Sequence, residues 1–273
     1  MTEGTLGAYV YCVLGGDVSP SRLDVDGVDP QHTVRAVPHR GMTALVSDVS
    51  LTEFGAEPLK RNLNDLRWVE RTARAHQRVL DRALGMGAIV PLRLCTVCRD
   101  DAGVRAMLDR EHEPLAGALT RLAGRQEWGI KLLANPQRAG ERMPEGAAAD
   151  APGSGRAYVD RLRRDRAARD DAQRKARAAA LAIHRALAAQ SIAARVLPKP
   201  PSELAGEGGA LILNGAYLVD ADRAEAFRAL AGELRERRCA PDMRLEITGP
   251  WPPYSFVAEP TDERRRPRAG VRR

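Results

Sequence analysis

The chain has 273 residues, of which 44% are hydrophobic, 29% charged and only 4% aromatic. This length suits one large domain or two ordinary ones, and the apolar fraction supports a buried core, which excludes wholesale disorder. No run of about 18 apolar residues occurs, so we expect no membrane span. The opening residues Met1-Thr2-Glu3-Gly4 carry neither a basic region nor a long apolar stretch, and we therefore expect a cytoplasmic protein.

The formal net charge of +7 is concentrated in two segments. Arg156–Arg185 contains ten Arg and Lys residues against four Asp, and the tail Ala258–Arg273 contains six Arg against three acidic residues. One interpretation is an electrostatic patch for nucleic acid or another anion. The other, which we favour, is a solvated helix face followed by a disordered tail.

Strands dominate the beginning of the chain. Leu6–Leu14 is rich in β-branched and aromatic residues and predicts a buried strand. Thr33–Val37 and Met42–Val49 predict a hairpin with a turn at His39-Arg40-Gly41. Apolar residues at spacings of three and four then predict one helix from Leu59 to Leu84, with His76 on its apolar stripe as a hydrogen-bonded core or boundary residue.

The next elements alternate between strand and helix. Ala88–Val97 predicts a strand in which Pro91 favours an edge position or a bulge. A second helix is predicted over Asp101–Leu122. A strand is then predicted at Glu127–Leu133, a flexible loop at Asn135–Gly155 and a long helix at Tyr158–Gln190. Two strands follow at Ala193–Leu197 and Ala210–Val219, the second with a bulge at Gly215. The last elements are a helix from the N-cap Asp220 to Arg238 and a strand at Leu245–Thr248.

This order of elements predicts the fold class. From Glu127 onward it is β-α-β-β-α-β, the order of a ferredoxin-like domain. We therefore predict an α+β protein of two lobes, a ferredoxin-like C-terminal one and an N-terminal one with a mixed sheet and two helices. The predicted bounds are 1–124 for the N-terminal domain, 125–257 for the ferredoxin-like domain with its flexible loop at 135–155, and 258–273 for a disordered Arg-rich tail.

Most motifs of familiar enzymes are absent from the sequence. It has no Gly-rich phosphate or dinucleotide loop, no His-Glu-x-x-His and no Gly-x-Ser-x-Gly. Cys95-Thr96-Val97-Cys98 could form a redox pair with a low thiol pKa, but a zinc site would need two further ligands at paired spacing, and Cys12 and Cys239 stand alone. We favour two small side chains packing in a strand.

The segment Gly249–Phe256 (GPWPPYSF) is the most unusual in the chain. It holds three of the eleven aromatic residues, and its three prolines predict an extended, polyproline-like path. We call residues Trp251–Phe256 the strap. The strap either packs its rings on the domain or offers a rigid aromatic surface to a protein partner, and the two roles can fall to different rings.

Several short segments in a fixed order carry a resemblance over nearly the whole chain. They are Tyr9-Val10-Tyr11, Val46-Ser47-Asp48-Val49, the helix with His76 before Ile89-Val90-Pro91-Leu92-Arg93, Glu127-Trp128-Gly129-Ile130-Lys131, Tyr217-Leu218-Val219 and Gly249–Phe256. In this order the chain resembles the gas vesicle protein L/F family. That family usually has Pro-Leu-Arg-Phe-Gly-Thr-Val-Phe where this chain has cysteines at 95 and 98, which strengthens the packing interpretation of the cysteines.

The resemblance implies a non-enzymatic assembly factor of gas vesicles, located in the cytoplasm and associated with the vesicle shell. Its implied partners are the small hydrophobic shell protein and other accessory proteins, with no membrane partner, cofactor or metal. A shell subunit with a water-repelling face must be kept from aggregating, and a folded protein can cover that face or its strand edges. The candidate partner-binding residues are Arg93, Trp128, Lys131, Trp251, Pro252, Pro253, Tyr254 and Phe256.

Two alternatives follow from the residues themselves. The first is a nucleic-acid-binding ferredoxin-like module that uses the Arg-rich helix and tail, although the strands show no aromatic pattern of the kind that stacks RNA bases. The second is a thiol enzyme that uses Cys95 and Cys98.

Overall fold

The computed structural model describes residues 5–16, 18, 24–134, 155–199 and 209–258. The chain divides by its contacts into two compact units, Met1–Gln126 with Trp251–Arg273, and Glu127–Pro250. The strap therefore belongs to the first unit, whereas the sequence placed it in a domain ending at 257. Residues 135–154 and 259–273, where the flexible loop and the Arg-rich tail were predicted, lie outside the described residues.

The first unit is built on a five-stranded sheet with the order β2-β3-β1-β4, in which β5 also pairs with β1. Its strands are β1 (Leu6–Gly15), β2 (Arg35–His39), β3 (Met42–Ser50), β4 (Ile89–Pro91) and β5 (Val97–Cys98). Its helices are α1 (Leu51–Phe54), α2 (Ala56–Asn62), α3 (Leu66–Ala83), α4 (Asp101–Arg110) and α5 (His112–Leu122). The predicted hairpin is present, and Arg40 and Gly41 in its turn both have positive φ. Pro91 lies on the edge strand β4.

The central strand β1 is buried on both faces. Three helices contact it: α3, α4 and α5. It carries a β-bulge that the sequence did not reveal. Val10 pairs with Val46 and Cys12 with Leu45, which leaves Tyr11 as the extra residue. The bulge lets Tyr9, Tyr11 and Cys12 join one core cluster with Trp68 and Leu80 of α3.

Two details predicted for the first lobe were wrong. The described residues of this unit contain five helices rather than two, and the strand pairs of its sheet are all antiparallel rather than mixed. The expected helix from Leu59 to Leu84 is interrupted because the carboxylate of Asp65 caps α3, accepting hydrogen bonds from the backbone N–H groups of Arg67 and Trp68. This start shifts the buried face of α3, and Leu66, which the stripe placed in the core, is 78% exposed.

Two other predicted elements are also divided. The helix expected over 101–122 is broken at Glu111 because Pro114, in the first turn of α5, has no N–H to donate to the Arg110 carbonyl. The strand expected over 88–97 is broken by a turn in which the N–H of Thr96 donates to the Arg93 carbonyl.

The second unit has a four-stranded sheet with the order β7-β8-β6-β9. Its elements are β6 (Arg125–Ala134), α6 (Gly155–Ala188), β7 (Ala193–Val196), β8 (Ala210–Asp220), a 3₁₀ turn (Ala221–Arg223), α7 (Ala224–Arg238) and β9 (Met243–Trp251). This is the predicted β-α-β-β-α-β succession, and the α+β fold class is confirmed. Its core joins Trp128, Ile130 and Leu132 of β6 to Ile183 of α6 and Phe227 of α7.

Two details of the second unit differ from the prediction. Gly215 forms no bulge against β7, since it pairs in register with Val196. Instead the ring of Tyr217 lies over it, and a Cβ at Gly215 would come within 2.8 Å of that ring. Asp220 precedes a 3₁₀ turn, and its side chain makes no capping hydrogen bond to that turn.

Candidate partner-binding sites

The strap turns sharply and does not follow the polyproline-like path that its prolines predicted. The N–H of Tyr254 donates to the carbonyl of Pro252 at 2.7 Å, and the N–H of Phe256 donates to the carbonyl of Pro253 at 3.0 Å. These bonds close a γ-turn and then a single 3₁₀ turn at Tyr254–Phe256. The polyproline prediction was therefore wrong, because local backbone hydrogen bonds fold the segment back.

The strap divides its side chains between the core and the solvent. Pro252, Pro253 and Phe256 are buried. Trp251 is 38% exposed and Tyr254 is 40% exposed. After the strap, the Arg121 guanidinium donates to the carbonyl of Val257 at 3.0 Å. The strap thus presents two aromatic side chains from a backbone held by buried neighbours.

Tyr254 is tied to the first unit through a chain of three polar rings. Its hydroxyl lies 3.0 Å from Nε2 of His76, and Nδ1 of His76 lies 2.9 Å from the hydroxyl of Tyr9. The Tyr9 hydroxyl accepts the backbone N–H of Cys95 at 3.0 Å. The hydroxyl of the fully buried Tyr9 can donate its own hydrogen to Nδ1 of His76. In that tautomer Nε2 of His76 carries the proton and donates to Tyr254.

Burial sets the protonation of these groups. Burial lowers the pKa of His76 from 6.5 to about 4, so the imidazole is neutral at pH 7. Burial likewise raises the pKa of Tyr9 and that of Tyr254 well above the usual value of a phenol. All three rings are therefore neutral at physiological pH. We call the hydrogen-bonded side chains of Tyr254, His76 and Tyr9 the latch.

A cluster of aromatic rings surrounds this latch. The ring centroids of Tyr9 and Tyr11 are 4.8 Å apart, and that of Tyr11 lies 5.4 Å from His76. The Tyr11 hydroxyl accepts the N–H of Val28 at 2.8 Å and lies 2.7 Å from Oγ of Ser47, to which it can donate. The bulge at Tyr11 places this hydroxyl among polar partners inside the core.

Arg93 is the exposed residue of an otherwise half-buried turn between β4 and β5. Its carbonyl accepts the N–H and the hydroxyl of Thr96, at 3.2 and 2.8 Å. Within the same turn Cys95 has φ of +63°, a conformation that favours glycine. Cys95 thus adopts a left-handed backbone conformation that is strained for a residue with a Cβ.

The cysteine pair lacks the electrostatics of a redox site. Burial raises the pKa of the Cys95 thiol, and burial also raises that of Cys98. A nucleophilic or redox-active cysteine needs the opposite shift. Within the described part of the chain, no group of three or more His, Cys, Asp and Glu residues is placed to hold a metal ion.

Trp128 and Lys131 lie in the second unit, on opposite faces of β6. Trp128 is buried against Phe227, with ring centroids 6.4 Å apart, and the Arg228 guanidinium lies 5.8 Å from its ring. Gly249 lies against the same indole, and a Cβ there would be 3.2 Å from Cε3 of Trp128. Lys131 is exposed. The structure therefore places Trp128 in the core and does not bring it together with Lys131.

His76 and Tyr254 are each visible as candidates in the sequence, but their connection and the role of Tyr9 are not. Tyr9 and His76 are 67 positions apart, and His76 and Tyr254 are 178 apart. No local pattern joins residues at such separations. The one available signal was a polar ring on an otherwise apolar helix stripe, which requires a buried hydrogen-bond partner. Over the described residues, no helix is both long and apolar enough to cross a membrane.

Comparison with known families gives a match over nearly the whole chain. The family model described as "Gas vesicle synthesis protein GvpL/GvpF" matches residues 7–258. The chain is similar to gas vesicle protein L of Streptomyces sp. strain CB03234, with 38% identity over 251 residues that cover 91% of this chain and 92% of the relative. It is also similar to gas vesicle protein F of the same strain, with 29% identity covering 92% and 100% of the two chains.

Solved structures share the fold. The chain is similar to the crystal structure of gas vesicle protein GvpF from Anabaena sp. PCC7120, with a TM-score of 0.66 and 18% identity over 93% of this chain and 96% of that one. It is also similar to the crystal structure of GvpF from Microcystis aeruginosa, with a TM-score of 0.64 and 16% identity over 92% and 99%.

Proposed function

Because the chain belongs to the gas vesicle synthesis protein GvpL/GvpF family, we propose that it is a non-enzymatic assembly factor that binds the small hydrophobic shell protein. In this proposal it works in the cytoplasm beside other accessory proteins and associates with the growing shell. It holds the apolar face of shell subunits away from water until they join the wall, and so supports nucleation or growth of the vesicle.

The exposed pair Trp251 and Tyr254 carries this proposal. Large aromatic side chains supply much contact area at low cost in conformational entropy, which makes them common anchors of protein interfaces. The latch through His76 and the buried Pro252 and Pro253 hold the strap in place before a partner arrives. A preorganised anchor loses little freedom on binding, which favours affinity.

The other candidate residues take different roles in the proposal. Phe256, Pro252 and Pro253 support the strap from within, and Trp128 supports the core of its own unit. Arg93 and Lys131 are exposed, and the proposal assigns each of them a peripheral polar contact with a partner. Single peripheral charges affect the rate of association more than the affinity.

A co-precipitation experiment tests the proposal. The tagged chain is co-expressed with the shell protein, and the double variant Trp251→Ala, Tyr254→Ala is compared with Leu66→Ala. Leu66 is a matched control because, among the described residues of the same unit, it is the most exposed large apolar one, and it lies outside the strap. We expect the strap variant to lose the shell protein and Leu66→Ala to retain it, with thermal unfolding showing that both are folded. Equal retention by the two variants would remove the strap from the interface.

A further inference from the structure

The first half of α6 has no packing partner within the described part of its own unit. Every side chain that the structure describes between 159 and 170 is exposed, and the first buried side chain of the helix is Ala176. The second half packs through Ala180, Ile183 and Leu187 into the core. We call residues 159–175 the arm. Its richness in Ala and Arg favours a helix without tertiary contacts.

Ion pairs within the arm use its acidic residues on one side. Asp160 pairs with Arg163 at 3.8 Å, and Asp171 pairs with Arg174 at 3.1 Å and with Lys175 at 2.8 Å. These pairs join positions three or four apart and stabilise a solvated helix. They neutralise part of the positive charge on that side.

The opposite face of the arm helix carries a stripe of aliphatic and arginine side chains. Its members recur at spacings of three and four and so share one face of the helix. We call them the arm stripe: Val159, Leu162, Arg166, Arg169 and Gln173. Val159 is 43% exposed and Leu162 is 50% exposed. Neither Arg166 nor Arg169 has an ion-pair partner among the side chains that the structure describes.

The arm stripe runs into a cleft at the base of the arm. The cleft measures about 240 Å³, and its lining consists mostly of small or apolar side chains: Ala134, Ala172, Ala176, Ala210 and Ile212. Arg169 and Gln173 of the stripe also line it, and Asp170 and Asp242 complete the lining. This volume is below the roughly 300 to 1,000 Å³ of small-molecule pockets, and it suits single side chains of a docking peptide.

We propose that the arm stripe and this cleft bind an acidic amphipathic helix of a partner protein. The stripe carries two exposed aliphatic side chains and two guanidinium groups that pair with no described side chain. These match a helix that presents Leu-like and Glu-like residues at the same spacing. Nucleic acid is disfavoured because a continuous polyanion must also pass Asp170 and Asp171, whereas a helix can place its carboxylates opposite Arg166 and Arg169 alone and its apolar side chains beside the cleft. This surface lies on the second unit and is independent of the strap.

The test uses a synthetic 21-residue helix with leucine at heptad positions a and d and glutamate at e and g. Its binding to the full-length chain is measured by fluorescence anisotropy, beside a twin peptide with lysine at e and g. The stripe variant Arg166→Glu, Arg169→Glu is compared with Arg164→Glu, Lys175→Glu. The control pair lies half a turn away on the same arm and changes the net charge equally. Circular dichroism verifies that both variants keep their helix.

We expect the glutamate peptide to bind, the stripe variant to weaken binding about tenfold, and the control variant to bind within about twofold of the unchanged chain. The lysine peptide should not bind. The proposal is overturned if the glutamate peptide does not bind, or if both variants lose affinity equally, which would show diffuse attraction. It is also overturned if a 20-nucleotide single-stranded RNA binds more tightly than the peptide and displaces it. No shell protein enters this experiment, so its outcome does not depend on the proposed function of the strap.

Discussion

The hydroxyl of Tyr254 lies 3.0 Å from Nε2 of His76, a residue 178 positions earlier in the chain. This contact anchors the strap to the helix that also supports the central strand through Tyr9. One buried imidazole thus joins a core strand, a core helix and the segment proposed to meet a partner. The strap is therefore held by a polar contact that can be removed without removing the aromatic ring.

Replacing Tyr254 by phenylalanine should lower the free energy of unfolding by about 1 kcal/mol, because Nε2–H of His76 then lacks its acceptor. Urea denaturation measures this change. A double-mutant cycle with His76→Phe isolates the contact, and the two substitutions should be less costly together than the sum of their separate effects. Strict additivity would show that the hydrogen bond contributes nothing to stability.

The stability of the first unit should depend on pH through His76. Its pKa is lowered to about 4 in the folded chain, against 6.5 when unfolded, so the unfolded chain binds more protons between these values. The free energy of unfolding should therefore rise as the pH increases from 4 to 6.5, by about 3 kcal/mol at most, and then level off. Carboxylates also titrate in this pH range. The quantity to measure is therefore the difference in the free energy of unfolding between the unchanged chain and a His76→Gln variant. A difference that stays constant between pH 4 and 6.5 would contradict the lowered pKa of His76.

The thiols of Cys95 and Cys98 should react slowly at neutral pH, since burial raises both pKa values above that of a free thiol. Iodoacetamide labelling followed by mass spectrometry over pH 6 to 10 measures this for each cysteine. The labelling rate should still be rising at the alkaline end of that range. A thiol that labels at its full rate by pH 7 would revive the thiol-enzyme alternative.

Replacing Gly249 by alanine should destabilise the second unit by about 2 kcal/mol or more. Gly249 has φ of +127°, and a Cβ there would lie 2.9 Å from the carbonyl oxygen of Glu127. Gly232 within α7 is the matched control, because a Cβ there meets no atom within 4 Å. Gly232→Ala should instead stabilise the chain by about 1 kcal/mol through helix propensity. Thermal unfolding of the two variants should shift in opposite directions, and an unchanged or raised unfolding temperature of Gly249→Ala would show that the strain at Gly249 is absent.

The elements with strong local signals were predictable from the sequence. The β-rich run at the start of the chain became β1, and the β-α-β-β-α-β succession was correct because each element has its own apolar pattern. Helix boundaries were not predictable where one polar residue decides them. Asp65 starts α3 by capping it, and the apolar spacing across Leu63 and Leu66 concealed that start.

Long-range contacts were the other limit. The prolines of the strap predicted an extended path, but the hydrogen bonds of Tyr254 and Phe256 to proline carbonyls fold it, and its anchor on His76 has no signature in either segment. The bulge at Tyr11 depends on its pairing with β3, which sequence spacing along β1 cannot reveal. The aromatic residues of the strap were visible in the sequence, whereas the division into exposed Trp251 and buried Phe256 required the structure.

Suppression of shell-protein aggregation is the most direct test of the strap as a partner-binding surface. Light scattering is followed as the shell protein is diluted from denaturant into buffer with an equimolar amount of the chain, of the Trp251→Ala, Tyr254→Ala variant, or of Leu66→Ala. We predict that the unchanged chain and Leu66→Ala keep scattering low and that the strap variant does not. Equal suppression by all three, or by none of them, would contradict the account.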